Sequence, residues 1–129
     1  MKPPRSEALA RRLAVLADSK KAEDIIVLDM RKLVSYTDFL AICTARNERQ
    51  ARAIVDQVRV QVKGETGQLP GGVEGAGADG WVVLDYLDCV LHVFTTEARE
   101  RYQLEDLWHE APRLELDLDA PQASSAASA

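Results

Sequence analysis

The spacing of apolar residues in the first third of the chain predicts one helix followed by two strands. Over residues 6–17 leucines recur at helical spacing, so this segment is predicted to form a helix with Ser6 as its N-cap. Residues 24–30, DIIVLDM, and residues 39–44, FLAICT, are short and continuous apolar runs. Continuous runs of this kind are typical of strands that are buried on both faces. We therefore expect two buried strands joined by a polar loop.

The longest periodic segment predicts a helix that begins after Asn47. Asn is a favourable N-cap, and Gln50 lies three positions later, as in a capping box. Five apolar residues fall within an arc of about 100° on the helical wheel, and four basic residues fall within a neighbouring arc of about 80°. Gly64 or Gly67 ends the helix, because glycine tolerates the left-handed conformation. The apolar arc consists of Ala51, Ile54, Val55, Val58 and Val62, and the basic arc consists of Arg49, Arg52, Arg59 and Lys63.

The second half of the chain predicts a glycine-rich loop, a hairpin and a last helix. The five glycines of residues 68–80 follow a helix and precede a strand, which is the reverse of a phosphate-binding loop, and no Lys accompanies them. Residues 81–86 and 89–95 are apolar strands whose connection is too short for a parallel crossover, so they are expected to pair antiparallel. Thr95 or Thr96 is the N-cap of the helix that follows.

These elements together predict one domain of class α/β (α+β), with a mixed, roughly five-stranded sheet flanked by helices. A further short strand is expected near Val73. With the strand at residues 39–44 and the long helix, it has the order of a βαβ unit. The domain is assigned to residues 1–111. Residues 112–129 are rich in Ala, Ser and Pro and are acidic, so this tail is predicted to be disordered.

Composition narrows the class of protein. The chain of 129 residues is 47% hydrophobic and 29% charged, and its net charge is −5. This acidic balance argues against a protein that holds nucleic acid mainly by its phosphates, and it suits a basic protein partner. Cys43 and Cys89 lie in apolar runs without a Cys-x-x-Cys pair, which predicts buried thiols rather than a disulfide or a zinc site. No apolar run approaches the roughly 20 residues of a membrane span, and the N-terminus lacks the apolar stretch of a secretory signal.

An enzyme would need convergent reactive groups, and five residues qualify by type: Asp29, Asp38, Asp85, Asp88 and His92. Paired carboxylates hold Mg²⁺ or act as acid and base, and His92 is a candidate proton shuttle. Each has a structural alternative, because Asp85 and Asp88 bracket a turn and His92 alternates with apolar residues along a strand. No nucleophile elbow, His-Glu-x-x-His or Walker motif is present. We therefore expect no catalytic residue, no metal and no cofactor.

The order of motifs in the second half resembles the ribosomal silencing factor (Iojap-like) family. Residues 80–108, GWVVLDYLDCVLHVFTTEARERYQLEDLW, have the family's two strands, acid-bracketed turn, and helix with a Tyr and a Trp. The likeness extends over residues 9–108, through DIIVLDMRKLVSYTDFLAICTARNERQARAI and the glycine-rich LPGGVEG. The chain departs from the family at Asn47, where Ser is usual, and at Leu87, where Gly is common.

This resemblance implies a binding protein whose fold is related to nucleotidyltransferases but lacks the catalytic set. Residues 44–48 carry no clear counterpart of that set. The family binds the large ribosomal subunit through its protein fourteen, blocks joining of the small subunit, and lowers translation in starvation or stationary phase. A homodimer is implied for the free protein.

Two alternative functions remain open. Relatives in mitochondria and chloroplasts act in ribosome assembly, so a large-subunit assembly factor is one alternative, and a nucleotidyltransferase-like enzyme is the less favoured one. The N-terminus has no transit-like leader rich in Ser and Arg, which favours a bacterial, cytoplasmic protein without a membrane association.

The resemblance also implies a patch on the hairpin and last helix that binds the ribosomal protein. Its anchors are expected to be Tyr86 and Leu87 at the turn, with Tyr102 and Trp108 on the helix. Acidic side chains would form a rim that attracts a basic partner. The full set is Asp85, Tyr86, Leu87, Asp88, His92, Glu97, Arg101, Tyr102, Glu105 and Trp108.

Two of these assignments leave alternatives open. Trp108 fits either the patch or the core, because it shares a helical stripe with Leu104 and Leu107, while Tyr102 points elsewhere, so the helix is expected to break near Gln103. The basic arc of the long helix is either a solvated face or a contact to ribosomal RNA through Arg49, Arg52, Arg59 and Lys63. The large apolar residues assigned to the core are Trp81, Phe94, Leu104 and Leu107.

Overall fold

A mixed sheet flanked by helices forms the protein. The computed structural model describes residues 5–74 and 80–118. In chain order the elements are α1 (Arg5–Ser19), β1 (Glu23–Asp29), β2 (Phe39–Ala45), α2 (Glu48–Thr66), β3 (Gly72–Glu74), β4 (Trp81–Asp85), β5 (Cys89–Thr95), α3 (Thr96–Tyr102) and α4 (Leu104–Leu107). This order confirms the predicted fold class and the short strand at Val73.

The five strands lie in the order β1-β2-β5-β4-β3. β2 and β5 pair in parallel, whereas β1 with β2, β4 with β5, and β3 with β4 pair antiparallel. β3 therefore runs in the same direction as β2 and β5. The predicted βαβ unit of β2, α2 and β3 is thus parallel, but β5 and β4 lie between its two strands.

The start of α2 after Asn47 and its end at Gly67 are as predicted, whereas the Gln50 side chain reaches back to Arg46 rather than to Asn47. The Asn47 carboxamide oxygen accepts the backbone N–H of Gln50 at 2.8 Å, and the Gln50 side-chain oxygen accepts the backbone N–H of Arg46 at 2.6 Å. Gly67 ends the helix in the left-handed conformation, with φ of 77°. The five residues of the predicted apolar arc are the buried residues of this helix.

Alternation along the strands divides the sheet into two faces. The face that packs on α1 and α2 is here called the covered face. Fully burying one such aliphatic side chain contributes about 1.5–3 kcal/mol, so this layer supplies much of the stability. The sheet residues of the covered face are Val27, Phe39, Ala41, Cys43, Ala45, Val82, Leu84, Tyr86, Cys89, Leu91 and Val93.

The opposite side is here called the open face, because α3, α4 and the chain around Ala111 cover only part of it. Its buried apolar residues form a separate cluster, against which Trp81, Val83 and Trp108 are only partly buried. The buried members are Leu28, Met30, Leu40, Ile42, Val90, Phe94, Ala98 and Ala111.

Two expectations about the N-terminal elements are wrong. Ser6 lies inside α1 rather than at its N-cap, and its carbonyl accepts the Cys89 thiol at 3.0 Å. β1 lies at the edge of the sheet and is only partly buried over its first half. Asp24 has a φ of 49° at an irregularity in the β1–β2 register, so the strand is bent at the point where burial on both faces was expected.

The prediction of disorder from residue 112 onward is wrong for residues 112–118, here called the C-terminal strap. The Pro112 carbonyl accepts the backbone N–H of Asp29 at 2.8 Å, and the Leu114 N–H donates to the Val27 carbonyl at 2.9 Å. Leu114, Leu116 and Leu118 pack against the core of the covered face. Residues 119–129 lie outside the described residues, so the prediction for them stays a prediction.

Candidate protein-binding surface

A groove of about 510 Å³ lies on the open face. The hairpin tip, the loop before β2, and α4 form its walls, while β2 and β5 form its floor. Three of its large apolar side chains, Tyr36, Leu87 and Leu107, are mostly exposed. The lining residues are Tyr36, Leu40, Asp85, Leu87, Val90, His92, Leu104, Leu107 and Trp108.

The hairpin tip holds Leu87 outward by local hydrogen bonds. The Asp85 carboxylate accepts the backbone N–H of Leu87 at 2.8 Å, which is the turn role that sequence reasoning offered for this carboxylate. Leu87 has a φ of 71°, a left-handed conformation that costs a non-glycine residue about 1–2 kcal/mol. The Asp88 carbonyl accepts the backbone N–H groups of Asp38 and Phe39, which fixes the tip to the start of β2.

An aromatic cluster lies beside the groove. Trp81 stacks on Phe94 with 4.9 Å between ring centroids and lies 4.6 Å from Tyr102. The Trp81 indole N–H donates to Nδ1 of His92 at 3.0 Å. Burial lowers the pKa of His92 to about 4, and the Asp85 carboxylate offsets part of that shift. The ring is therefore neutral at pH 7, and this cluster fixes its orientation.

A single guanidinium fixes α3 and α4 on the sheet. Arg99 donates through Nε to the Glu105 carboxylate at 2.9 Å and through Nη1 to the Thr44 hydroxyl at 2.8 Å. Nη1 also donates to the Asp24 carbonyl at 2.7 Å. Gln103, with a φ of 46°, separates the two helices at the predicted break. The contacts of Arg99 thus set the position of α4, which carries Leu107 into the groove wall.

The structure corrects several predicted members of the patch. Tyr86 is buried on the covered face, so it is not an exposed anchor, and its hydroxyl has no hydrogen-bond partner among the described residues. Glu105 pairs with Arg99 and does not form a free acidic rim. Leu107, which we expected in the core, is mostly exposed, and Trp108 is half-buried between the two environments. Trp81 is likewise half-buried rather than core.

The residues of the predicted patch do not all lie together; they occupy different parts of the molecule. Asp85, Leu87, His92 and Trp108 line the groove, and exposed Asp88 follows at the tip. Glu97 and Arg101 line a different depression, between the starts of α2 and α3. Tyr102 is part of the aromatic cluster and remains partly exposed.

Sequence reasoning missed Tyr36 as a groove residue. It lies in the irregular segment between β1 and β2, where no periodicity assigns a direction to a side chain. Its only sequence signal was a large aromatic residue in a polar loop.

The basic arc of α2 lies on the outside of the molecule. Its four basic side chains are exposed, and no carboxylate within the described ranges pairs with them at 4.0 Å or less. Asp56 falls in the same arc, and the exposed Val60 lies just beside it. By contrast, Arg11, Arg12, Arg31 and Arg99 each pair with a carboxylate.

Burial or ion pairing gives several of the candidate reactive groups a structural role. Burial raises the pKa of both Cys43 and Cys89 to about 12, so neither thiol is a nucleophile at neutral pH. Asp29 forms an ion pair with Arg31, which holds the pKa of that carboxyl below its usual value. Within residues 5–74 and 80–118, no three His, Cys, Asp or Glu side chains are grouped as metal ligands. In the same part of the chain, no helix combines the length and apolarity required to cross a bilayer.

Comparison with protein families gives a match over residues 3–129 to the family described as "Ribosomal silencing factor during starvation". A ribosomal silencing factor of Bacillus subtilis is 37% identical over 109 residues, which cover 84% of this chain and 92% of the relative. The chloroplastic protein Iojap of Arabidopsis thaliana is 35% identical over 88% of this chain and 47% of its own length. A mouse protein named for mitochondrial assembly of the large ribosomal subunit is 32% identical over 74% of this chain and 43% of its own length.

Two crystal structures have the same fold. One, from Bacillus halodurans, has a TM-score of 0.69 and 38% identity and covers 81% of this chain and 95% of its own. The other, from Chromobacterium violaceum, has a TM-score of 0.73 and 31% identity and covers 95% of this chain and 99% of its own. The mixed sheet with its helices is therefore shared with proteins of known structure.

Proposed function

The chain belongs to the ribosomal silencing factor family, and from that premise we propose that it binds the large ribosomal subunit through its protein fourteen. The bound protein sterically blocks joining of the small subunit and lowers translation in starvation or stationary phase. It acts in the bacterial cytoplasm and forms a homodimer when free. The relatives named as ribosomal silencing factors support the regulatory role, and they carry the names of regulators rather than enzymes.

The partly uncovered groove of the open face is the observation that carries this proposal. Tyr36, Leu87 and Leu107 expose apolar surface around one depression. Contiguous exposed apolar surface on a globular protein marks a site of interaction. Most binding energy in an interface comes from a few buried anchors near its centre, and these three side chains are positioned to serve as such anchors.

Charge around the groove suits a basic ribosomal protein. Asp85 lies in the groove and Asp88 lies beside it, and the whole chain carries a net charge of −5. Complementary charge raises the association rate and fixes the register of a complex. A steric block needs a rigid domain and one such surface, and a standard interface of about 1,600 Å² is within reach of a protein this size.

A subunit-joining assay tests the proposal. Purified protein is added to separated bacterial subunits, and joined ribosomes are measured by sucrose gradient. The yield of joined ribosomes is expected to fall, and the protein is expected to sediment with the large subunit. Leu107→Ala is expected to weaken this block, whereas Val15→Ala, which changes an exposed apolar residue on α1, leaves it unchanged. Joining that is unaffected by saturating wild-type protein would reject the proposal.

The basic arc of α2 is proposed as an additional contact to ribosomal RNA. Arg49, Arg52, Arg59 and Lys63 lie within 15 residues of helix, and their ends are about 21 Å apart at a rise of 1.5 Å per residue. None of the four is paired with a carboxylate in the described chain. Phosphate contacts make binding depend steeply on salt. Arg52→Gln with Arg59→Gln is expected to reduce the salt dependence of large-subunit binding, and an unchanged salt dependence identifies the arc as a solvated face.

Assembly of the large subunit is the alternative function, since the mouse relative is named for it. Profiling of precursor subunits in a deletion strain separates the two functions. Normal maturation with excess joined ribosomes supports silencing, whereas accumulated precursors support assembly. The homodimer is tested separately by light scattering of the free protein, where a monomer mass would reject it.

A further inference from the structure

His92 lies in the middle of β5 on the open face, between two polar neighbours on β4. It pairs with Val83, so Trp81 and Asp85 are its diagonal neighbours on the same face. The Trp81 indole donates to Nδ1 of His92 at 3.0 Å. An indole N–H is a donor only, so Nδ1 must be the acceptor, and the single proton of the neutral ring is on Nε2.

The other ring nitrogen faces the groove. His92 is one of the lining residues, and its Nε2 makes no hydrogen bond within the chain that the structure describes. The same atom is not among the fully buried unpartnered atoms of those residues, which are the Tyr86 hydroxyl and one Glu105 oxygen. A groove lined mostly by apolar side chains therefore includes the Nε2–H of His92 as a donor whose orientation is fixed by Trp81.

We propose that the Trp81–His92 pair is a specificity element of the groove, in which His92 Nε2–H donates to an amide carbonyl oxygen of the bound protein. Trp81 is a positioning residue, because it acts by fixing the tautomer and orientation of the imidazole. This inference rests on the proposed function, since it names chemistry that the partner must supply at the same surface.

A neutral acceptor fits the site better than a carboxylate. Asp85 already contributes negative charge beside His92, and a second carboxylate in the same groove would be repelled. The imidazole supplies no compensating positive charge at pH 7, because burial lowers the pKa of His92 to about 4. A donor that becomes buried on binding must find a partner, so a surface without a suitably placed acceptor is rejected.

The tautomer is measured first, in the free protein. Two-bond ¹H–¹⁵N NMR correlation of the His92 ring at pH 7 is expected to show the Nε2–H tautomer alone. Trp81→Phe removes the donor to Nδ1 and is expected to produce a mixture of tautomers. A wild-type ring that is protonated on Nδ1, or mixed, would overturn the inference without any reference to the ribosome.

A matched pair of substitutions tests the contact to the partner. His92→Asn keeps an acceptor near Nδ1 for Trp81 but loses the outer donor, whereas His92→Gln places an amide donor near Nε2. Binding to purified large subunits is expected to weaken about tenfold for His92→Asn, because one acceptor of the partner is left unpaired. For His92→Gln the expected loss is less than about threefold, because a donor remains near the position of Nε2. Thermal unfolding of both variants separates an effect on the fold from an effect on binding.

The outcomes distinguish this inference from the proposed function. Wild-type protein that binds, together with His92→Asn that binds equally well, overturns the hydrogen bond and leaves the proposed function standing. Equal weakening by both substitutions identifies His92 as a shape contact and also overturns it. Wild-type protein that fails to bind large subunits rejects the proposed function and the partner contact together, whatever the tautomer.

Discussion

Tyr86 and Leu87 are consecutive residues at one hairpin tip, yet they belong to opposite faces of the sheet. Tyr86 is 1% exposed on the covered face, and Leu87 is 68% exposed beside the open groove. The covered face is packed by α1 and α2, which have 15 and 19 residues and are therefore about 22 and 28 Å long. The open face receives α3 and α4, of 7 and 4 residues, or about 10 and 6 Å. Apolar chemistry alone therefore does not separate buried from exposed residues; the length of the helices over each face does.

The largest expected effect comes from truncating the covered residue of this pair. Tyr86→Ala should lower the free energy of unfolding by about 3–4 kcal/mol, because it leaves a cavity under α2. Tyr86→Phe is the matched control, and it should be near neutral because the hydroxyl has no partner in the described chain. Urea denaturation measures both. Intact stability in Tyr86→Ala, with binding to the large subunit lost, would move Tyr86 from the core to the interface.

The open face is expected to be the source of acid sensitivity. The pKa of His92 is lowered from 6.5 to about 4 in the folded state, so between these pH values the unfolded state binds more protons. Stability should therefore fall as pH decreases from 6.5 to 4, by about 2–3 kcal/mol at about 1.4 kcal/mol per pKa unit.

His92→Gln isolates this contribution from other acid-titrating groups. Asp29 and Glu65, whose pKa values are lowered by their arginine partners, titrate in both proteins. The wild type should lose more stability than the variant between pH 6.5 and pH 4 in urea titrations. Parallel pH profiles for the two proteins would show that His92 is as exposed to solvent as an unfolded histidine.

Removal of the C-terminal strap should lower the free energy of unfolding by about 2 kcal/mol, because the strap packs on the core of the covered face. A chain that ends at Ala111 loses the partial burial of Leu114, Leu116 and Leu118, each contributing below the roughly 1.5–3 kcal/mol of full burial. It also exposes the edge of β1. Denaturant midpoints measure the effect, with a chain that ends at Leu118 as the control that should match the full chain. Identical midpoints for all three chains would contradict a structural role for residues 112–118.

The smallest expected change of stability concerns the exposed residue of the pair. Leu87→Gly should stabilise the fold by up to about 1 kcal/mol, because glycine adopts the left-handed conformation without the steric cost. It should also weaken binding to the large subunit, because an anchor of the groove is lost. Leu87→Ala is the control that loses the anchor without relieving the strain. A Leu87→Gly protein less stable than wild type would show that the tip carries no backbone strain.

Long periodic segments determined most of what the sequence could predict. The apolar arc of α2, from Ala51 to Val62, and its cap at Asn47 were read directly, because burial and capping there depend on residues within one helix. Four of the five strands were likewise found from their apolar runs, and β3 was expected only as a short strand near Val73 in the glycine-rich segment. The strands that pair with β2 could not be predicted in this way, because pairing between strands distant in sequence leaves no trace in local spacing.

The site was harder to predict from the sequence. Which of its residues are buried and which are exposed depends on strand register and on short helices. Extending the alternation of Val82 and Leu84 along β4 places Tyr86 on the covered face, but its position at a turn suggested exposure. The strap was missed for a related reason. Leu114, Leu116 and Leu118 alternate with charged residues as in a strand, within a tail whose average composition is that of a disordered segment.

The strap also covers one of the two edges of the sheet, where another polypeptide could otherwise pair with β1. Hydrogen bonds from residues 112–114 occupy β1 around Leu28, and the register irregularity near Asp24 distorts the remainder. At the other margin β3 has three residues, about 10 Å of extended chain. Among the described residues, neither margin has the long, flat row of unpaired backbone amides at which edge-to-edge aggregation begins. The described edges of the sheet therefore offer little template for aggregation, although the groove between them exposes apolar surface.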